Sequence, residues 1–264
     1  MESRDHLEDA VRDLIGFFDS GVGGLSVLHT ARTLLPGESF LYYGDNGNAP
    51  YGPRPLSEIR ALAEQGIDRL MARDIKALVI ACNTATSAYA DILRAKTSLP
   101  VIGMEPAIKP AQLSRTGGYV LALATRATLS LPKFQRLMSK YGECVLPVVG
   151  EGFVELVERD RMDSDEALDT VQRVLAPYAG MPVDSVVLGC THYPFLLHAI
   201  RRTFPDCAIY DGRMGTVLQL KRMLEARGLL SAEAHGSIQL ETSGGPDILP
   251  LMRRLMDYLE DNDL

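Results

Sequence analysis

KALVIACNTAT, residues 76–86, runs from an apolar stretch into a thiol, Cys82, and then into an amide and a hydroxyl, Asn83 and Thr84. A short continuous apolar run closed by small polar residues reads as a strand buried on both faces, the habit of parallel sheets covered by helices. The pattern recurs in DSVVLGCTHYP, residues 184–194, which ends its run at Cys190 and continues with Thr191 and His192.

Working outward from these two stretches, further apolar runs occur at 14–18 (LIGFF), 39–43 (SFLYY), 119–124 (YVLALA), 144–149 (CVLPVV) and 207–210 (CAIY). Helix-period segments separate most of them. The alternation predicts an α/β fold of two doubly wound parallel sheets. A helix is expected over about 22–35, with Val22, Leu25, Leu28 and Leu35 on one face and Pro36-Gly37 to stop it. The next is expected to be capped by Ser57 and to bury Ile59, Leu62, Ala63, Ile67, Leu70 and Met71. MEPAIKP (104–110) and YDGRMGT (210–216) read as crossings between domains. The expected division is residues 1–105 plus 213–264 as a first, discontinuous domain and 106–212 as a second. Ligands of open α/β sheets sit beyond the carboxyl ends of the strands, so the two thiols are expected to face each other across a cleft between the domains.

Composition narrows the function. The chain has 264 residues, 46% hydrophobic and 23% charged, enough for a sizeable core. Its net charge is −7 and no basic block occurs, which argues against nucleic acid as a ligand. The acidic start MESRDHLEDAVRDL fits neither a secretory nor a transit signal, and no apolar run approaches a membrane span. A cytoplasmic location with four reduced cysteines is the expectation.

A cysteine is most often an inert, small hydrophobe. That reading is taken for Cys144 and Cys207, which lie in or at the start of apolar runs with no polar cluster behind them. Cys82 and Cys190 differ, because hydrogen-bonding residues follow each, and a thiol works as base or nucleophile only as thiolate. Backbone N–H groups of the helices opened by Asn83-Thr84-Ala85-Thr86 and Thr191-His192-Tyr193-Pro194 would favour negative charge there. FFDSGVGG (17–24) puts Asp19 and Ser20 ahead of a glycine-rich turn but lacks the spacing and lysine of a phosphate loop; a helix cap is the alternative role of Asp19. GDNGNAPYGPRP (44–55) is a loop in which Pro50, Tyr51 and Gly52 form a turn.

The ordered set DSGVGG, PYGPRP, ACNTAT, GMEPAIKPA and GCTHYP resembles the glutamate racemase family of the aspartate/glutamate racemase superfamily, over residues 15 to about 225. The resemblance implies a cofactor-independent isomerase that interconverts L- and D-glutamate for peptidoglycan and cell-wall synthesis, a homodimer, and an active site between two α/β domains. It implies Cys82 and Cys190 as the two proton-transferring residues, with Asp19, His192 and Glu158 assisting them. It assigns substrate binding to Asp19, Ser20, Pro50, Tyr51, Gly52, Asn83, Thr84, Thr125, Thr128 and Thr191, and no metal. Where the family often carries a serine and then a tyrosine, this chain has Leu131 and Phe134. The nearest rival is a related cofactor-independent racemase such as an aspartate racemase, in which a glutamate usually stands at the position of His192. A cysteine hydrolase has no use for the second strand-end thiol, and a zinc site wants more ligands than Cys190 and His192.

Overall fold

The computed structural model describes residues 14–262 and 264; the N-terminal extension, and with it the start of the first expected domain, lies outside them. Nine strands are described: β1 (Leu14–Asp19), β2 (Ser39–Gly44), β3 (Ala77–Ile80), β4 (Val101–Gly103), β5 (Tyr119–Ala124), β6 (Val145–Val149), β7 (Val183–Leu188), β8 (Ala208–Asp211) and β9 (Ile238–Thr242). They form two sheets in the orders β4-β3-β1-β2-β9 and β6-β5-β7-β8, and every pairing is parallel. The chain leaves the first sheet after β4 and returns to it with β9 after β8.

The central strands read as apolar runs because both their faces are covered. β1 is buried at all six positions, and so is β3 at all four. One continuous apolar cluster joins Ile15, Phe17 and Tyr42 of the first sheet to Leu121, Val186 and Leu188 of the second. Pro147, which cannot donate to a ladder, sits on the edge strand β6. At the amino ends of β2 and β3, away from the thiols, buried Lys76 and Glu38 pair at 2.7 Å, and Glu38 also accepts the Ser231 N–H. This contact fastens the segment that leads into β9.

Local details differ from the expectations. The first helix is Leu25–Leu34, starting later than expected because residues 20–24 form bends and turns that carry the site loop. The second is Leu56–Met71, with Pro55 rather than Ser57 at its cap position and no side-chain cap. Ile59, Ala63, Ile67 and Leu70 form its buried face as expected, while Leu62 and Met71 pack at the edge of that core. Cys144 and Cys207 are half-buried, not core: Cys144 sits at φ +58° in the turn before β6, and the Cys207 thiol donates to the Val183 carbonyl. Among the described residues no helix is long and apolar enough to cross a membrane.

Candidate active site

Each sheet has a point where successive connections leave in opposite directions. In the first it lies between β1 and β3, in the second between β5 and β7, and open α/β sheets place ligands beyond the carboxyl ends of the strands at such points. The residues found there are Asp19 at the end of β1 and Ser20 after it, Cys82 after β3, Thr125 after β5 and Cys190 after β7.

Cys82 caps the helix Asn83–Lys96, and its sulfur accepts the Ala85 N–H at 3.4 Å. Over 14 residues the aligned peptide dipoles direct positive potential at that sulfur. The Ser20 hydroxyl lies 3.3 Å from it. The loop that brings Ser20 there needs its glycines: a Cβ on Gly21 would collide with the Glu158 carboxylate, and one on Gly23 with the His192 ring and the Thr191 hydroxyl.

Cys190 does not cap a helix: a 3-10 turn, Tyr193–Leu196, separates it from the seven-residue helix Leu197–Thr203. Side chains serve it instead. His192 Nδ1 is 3.6 Å from the Cys190 sulfur, and His192 Nε2 is 2.7 Å from Glu158 Oε1. Glu158 also accepts the Val22 N–H at 2.8 Å and the Asn46 amide N–H at 2.9 Å. The Thr191 hydroxyl donates to Asp19 at 3.0 Å, while the other Asp19 oxygen accepts the Gly21 N–H at 2.9 Å. Asp19 therefore does not cap a helix; it ties the loop after β1 to the turn after β7.

Both thiols line one cavity of about 110 Å³, room for a small organic molecule. Apart from His192 and the rim residue Arg126, its side-chain donors are neutral. Thr84, Thr125 and Thr128 hydroxyls form a mutual cluster at 3.0–3.1 Å. The Asn83 side chain is buried on the wall and neither its nitrogen nor its oxygen has a protein partner, the state of a group that awaits a ligand. Arg126, on the rim, is exposed and paired with Glu151 at 3.0 Å. Arg54, in the loop before the helix Leu56–Met71, pairs with Glu58.

The electrostatics of the two sides diverge. Burial pushes the Cys82 thiol up to about 12, aided by the Asp19 charge and opposed by the hydrogen bonds from Ser20 and Ala85. Burial also raises Asp19 to about 6, against the pull of His192, the Gly21 N–H and the Thr191 hydroxyl. For His192 burial favours the neutral ring, but the contacts with Cys190 and Glu158 outweigh it and hold the imidazole well above its ordinary value. Burial would raise Glu158 as well, yet His192, Val22 and Asn46 bring it below the usual carboxylate range. At neutral pH the site thus holds a Cys82 thiol on one side and, on the other, an imidazolium–carboxylate pair beside Cys190.

Of the residues singled out in the sequence, Ser20, Pro50, Tyr51, Gly52, Cys82, Asn83, Thr84, Thr125, Cys190, Thr191 and His192 line the cavity. Asp19, Thr128 and Glu158 stand behind the wall, each hydrogen-bonded to a residue on it. The sequence reading drew nothing from DNGNA. There Asp45 is buried and accepts the Tyr51 hydroxyl at 2.7 Å and the Ser243 hydroxyl at 2.6 Å, which fixes the turn carrying Pro50 to Gly52. It also passed over Val149, Gly150 and Val154 as wall residues. Leu131 and Phe134, the departures from the family pattern, are buried.

Comparison with known proteins points the same way. Residues 26–217 match the family described as Asp/Glu/hydantoin racemase. A glutamate racemase of Clostridium perfringens is 43% identical over 254 residues, 95% of this chain and 92% of its own length. Among solved structures, the glutamate racemase isoform RacE1 of Bacillus anthracis superposes with a TM-score of 0.83 at 29% identity, over 95% of each chain. The Escherichia coli glutamate racemase, solved with L-glutamate and the activator UDP-MurNAc-Ala, superposes at 0.81 and 34% identity, over 92% of this chain and 95% of that one.

Proposed function

This chain belongs to the Asp/Glu/hydantoin racemase family, and from that premise we propose that it interconverts L- and D-glutamate by proton transfer at Cα between Cys82 and Cys190. The observation that carries the reading is the pair of buried thiols, one from each sheet, on the wall of one small cavity with separate sets of partners. The named relatives support glutamate as the substrate.

In one direction Cys190, as thiolate beside the His192 imidazolium, takes the α-proton, and the Cys82 thiol gives its proton to the opposite face of the carbanion. The reverse direction exchanges the roles. By microscopic reversibility the thiol that donates in one direction is the base in the other. Cys82 pays for its burial when it is the base, and the substrate ammonium supplies the positive charge that this side lacks. The α-carbanion needs stabilisation, and on this route preorganised donors supply it in place of a pyridoxal electron sink. Asn83, Thr84, Thr125 and Thr191 would hold the carboxylates. Asp19 and Thr128 orient those groups from behind, Glu158 holds His192 beside Cys190, and Ser20 and the Pro50–Gly52 turn close the cavity. The reading includes a cytoplasmic homodimer that provides D-glutamate for peptidoglycan.

The test is proton NMR of the purified protein with L-glutamate, and separately D-glutamate, in deuterated water without added cofactor. The product enantiomer is expected to carry deuterium at Cα from the first turnovers while unconverted substrate keeps its proton, and Cys82→Ala and Cys190→Ala are each expected to abolish racemisation. Early deuterium in both pools would mean a single base. No exchange from glutamate, with exchange from aspartate, would transfer the protein to a related racemase activity.

A further inference from the structure

The contacts of Glu158 hold more than its pairing with His192 requires. The carboxylate ends the short helix Phe153–Glu158, which follows β6 of the second sheet, yet two of its hydrogen-bond donors come from the first-sheet side: the Val22 N–H and the Asn46 amide. The oxygens divide the work. Oε1 accepts from Val22 and faces His192 Nε2, and Oε2 accepts from Asn46.

The Asn46 amide is itself oriented. Its oxygen lies 2.9 Å from the Thr242 hydroxyl at the end of β9, and that same hydroxyl oxygen accepts the Gly244 N–H at 2.9 Å. A carboxylate only accepts, so the Asn46 N–H faces Glu158 and the amide oxygen is left to accept from the Thr242 hydroxyl. Asn46 does not line the site cavity. Among the described residues, the other titratable groups near Glu158 are Asp19 and Tyr42 from the first sheet, His192 from the turn after β7, and Glu155 and Arg159, which line one surface pocket with Glu158 and Asn46. His192 and the Val22 N–H both act on Oε1, so Asn46 is the donor that holds Oε2 in place against the Asp19 charge.

We infer that Asn46, oriented by Thr242, is a positioning residue for proton transfer at Cys190: it fixes the Glu158 carboxylate so that Oε1 meets His192, and it joins the C-terminal strand β9 to that half of the reaction. The inference rests on the two-thiol reading above. Without the Asn46 donor, Oε2 has no partner and the carboxylate is free to turn away from the ring.

The experiment compares wild type with Asn46→Ala, Asn46→Asp and Thr242→Val. Because the enantiomers are equal in free energy, kcat/KM falls equally in both directions whichever step is slowed, so the rate alone cannot locate the effect. The primary isotope effect with α-deuterated glutamate can. Asn46→Ala is expected to lower kcat/KM by about fivefold to thirtyfold. It should raise the isotope effect for the enantiomer whose proton goes to Cys190 and lower it for the other. Thr242→Val should shift both values the same way by less, and Asn46→Asp, which sets a carboxylate against Glu158, by more. The bell-shaped pH profile should narrow, since Glu158 becomes harder to ionise and His192 easier to deprotonate. Isotope effects that stay put, or that move together for both enantiomers, would overturn the proposal even where the rate falls. An inert wild type would instead overturn the two-thiol reading, and this one with it.

Discussion

The two thiols solve one problem with different materials. Cys82 sits at the start of a 14-residue helix, with a backbone N–H and a serine hydroxyl as its contacts. Cys190 caps no helix, since a 3-10 turn separates it from the seven-residue helix Leu197–Thr203, and it is served by an imidazole that a carboxylate holds in place. The first device is made of neutral dipoles fixed by the backbone, the second of charges fixed by other side chains. A device of dipoles is local and hard to disturb, whereas one of charges depends on distant partners. Substitutions on the Cys190 side should therefore cost more and should move pH limbs, while those on the Cys82 side should cost less.

The largest effect short of removing a thiol is expected for Glu158→Gln. The amide oxygen can still accept from Val22, but the negative charge that sustains the His192 imidazolium is gone. We expect kcat/KM to fall about a hundredfold or more at neutral pH and the alkaline limb of the profile to move to lower pH. Carboxymethylation rates read the comparison directly: Cys190 should react more slowly and Cys82 as before. Equal changes at both thiols would break the distinction between the two sides.

Asp19→Asn probes the group shared by both. Asp19 is wholly buried, and its carboxyl is raised to about 6 from the ordinary 3.8, mainly by burial. The folded protein thus holds this proton more tightly than the unfolded chain does, and stability falls as pH rises from about 4 to about 6. A shift of about two units costs on the order of 3 kcal/mol at neutral pH. The asparagine variant escapes that cost, so it should melt several degrees higher at pH 8 than wild type while losing about tenfold or more in kcat/KM. It should also lose the drop in melting temperature between pH 4 and 6. With the charge beside it removed, Cys82 should ionise more readily, and its alkylation at pH 8 should quicken by about tenfold for each unit its pKa falls. An unchanged Cys82 rate would show that Asp19 acts on the Cys190 side alone, through Thr191.

Legibility in the sequence followed the same division between local and distant contacts. The parallel α/β architecture and both strand-end thiols are visible because buried central strands are continuous apolar runs, and because Asn83, Thr84, Thr191 and His192 adjoin their cysteines. β9 escaped the reading: Ile238–Thr242 is an edge strand, half-buried and alternating, and carries no apolar run. Asp45 and Asn46 escaped for a similar reason. Their partners, Ser243, Thr242 and Glu158, are remote in the chain and meet them only when both sheets are assembled. Resemblance to a family carried Glu158 into the reading, whereas its pairing with His192 across 34 positions has no periodic signature. The Ser57 cap was misplaced because a serine near a helix start suits several positions, and Pro55 with its fixed φ began the helix two residues earlier.

The smallest effect sharpens the comparison most. Ser20→Ala deletes the one side-chain hydrogen bond made to the Cys82 sulfur among the described residues but leaves the Ala85 N–H and the helix in place. A single bond of this kind is worth about 1 kcal/mol, so kcat/KM should fall only about fivefold. The Cys82 thiol, already pushed up to about 12 by burial, should become still harder to ionise, and the Cys190 alkylation rate should not change. KM distinguishes the two roles open to this hydroxyl, since Ser20 also lines the cavity. A fall confined to kcat means that the hydroxyl serves the thiol. A rise in KM with kcat intact means that it serves the substrate, and the helix with its N–H groups then tunes Cys82 without side-chain help.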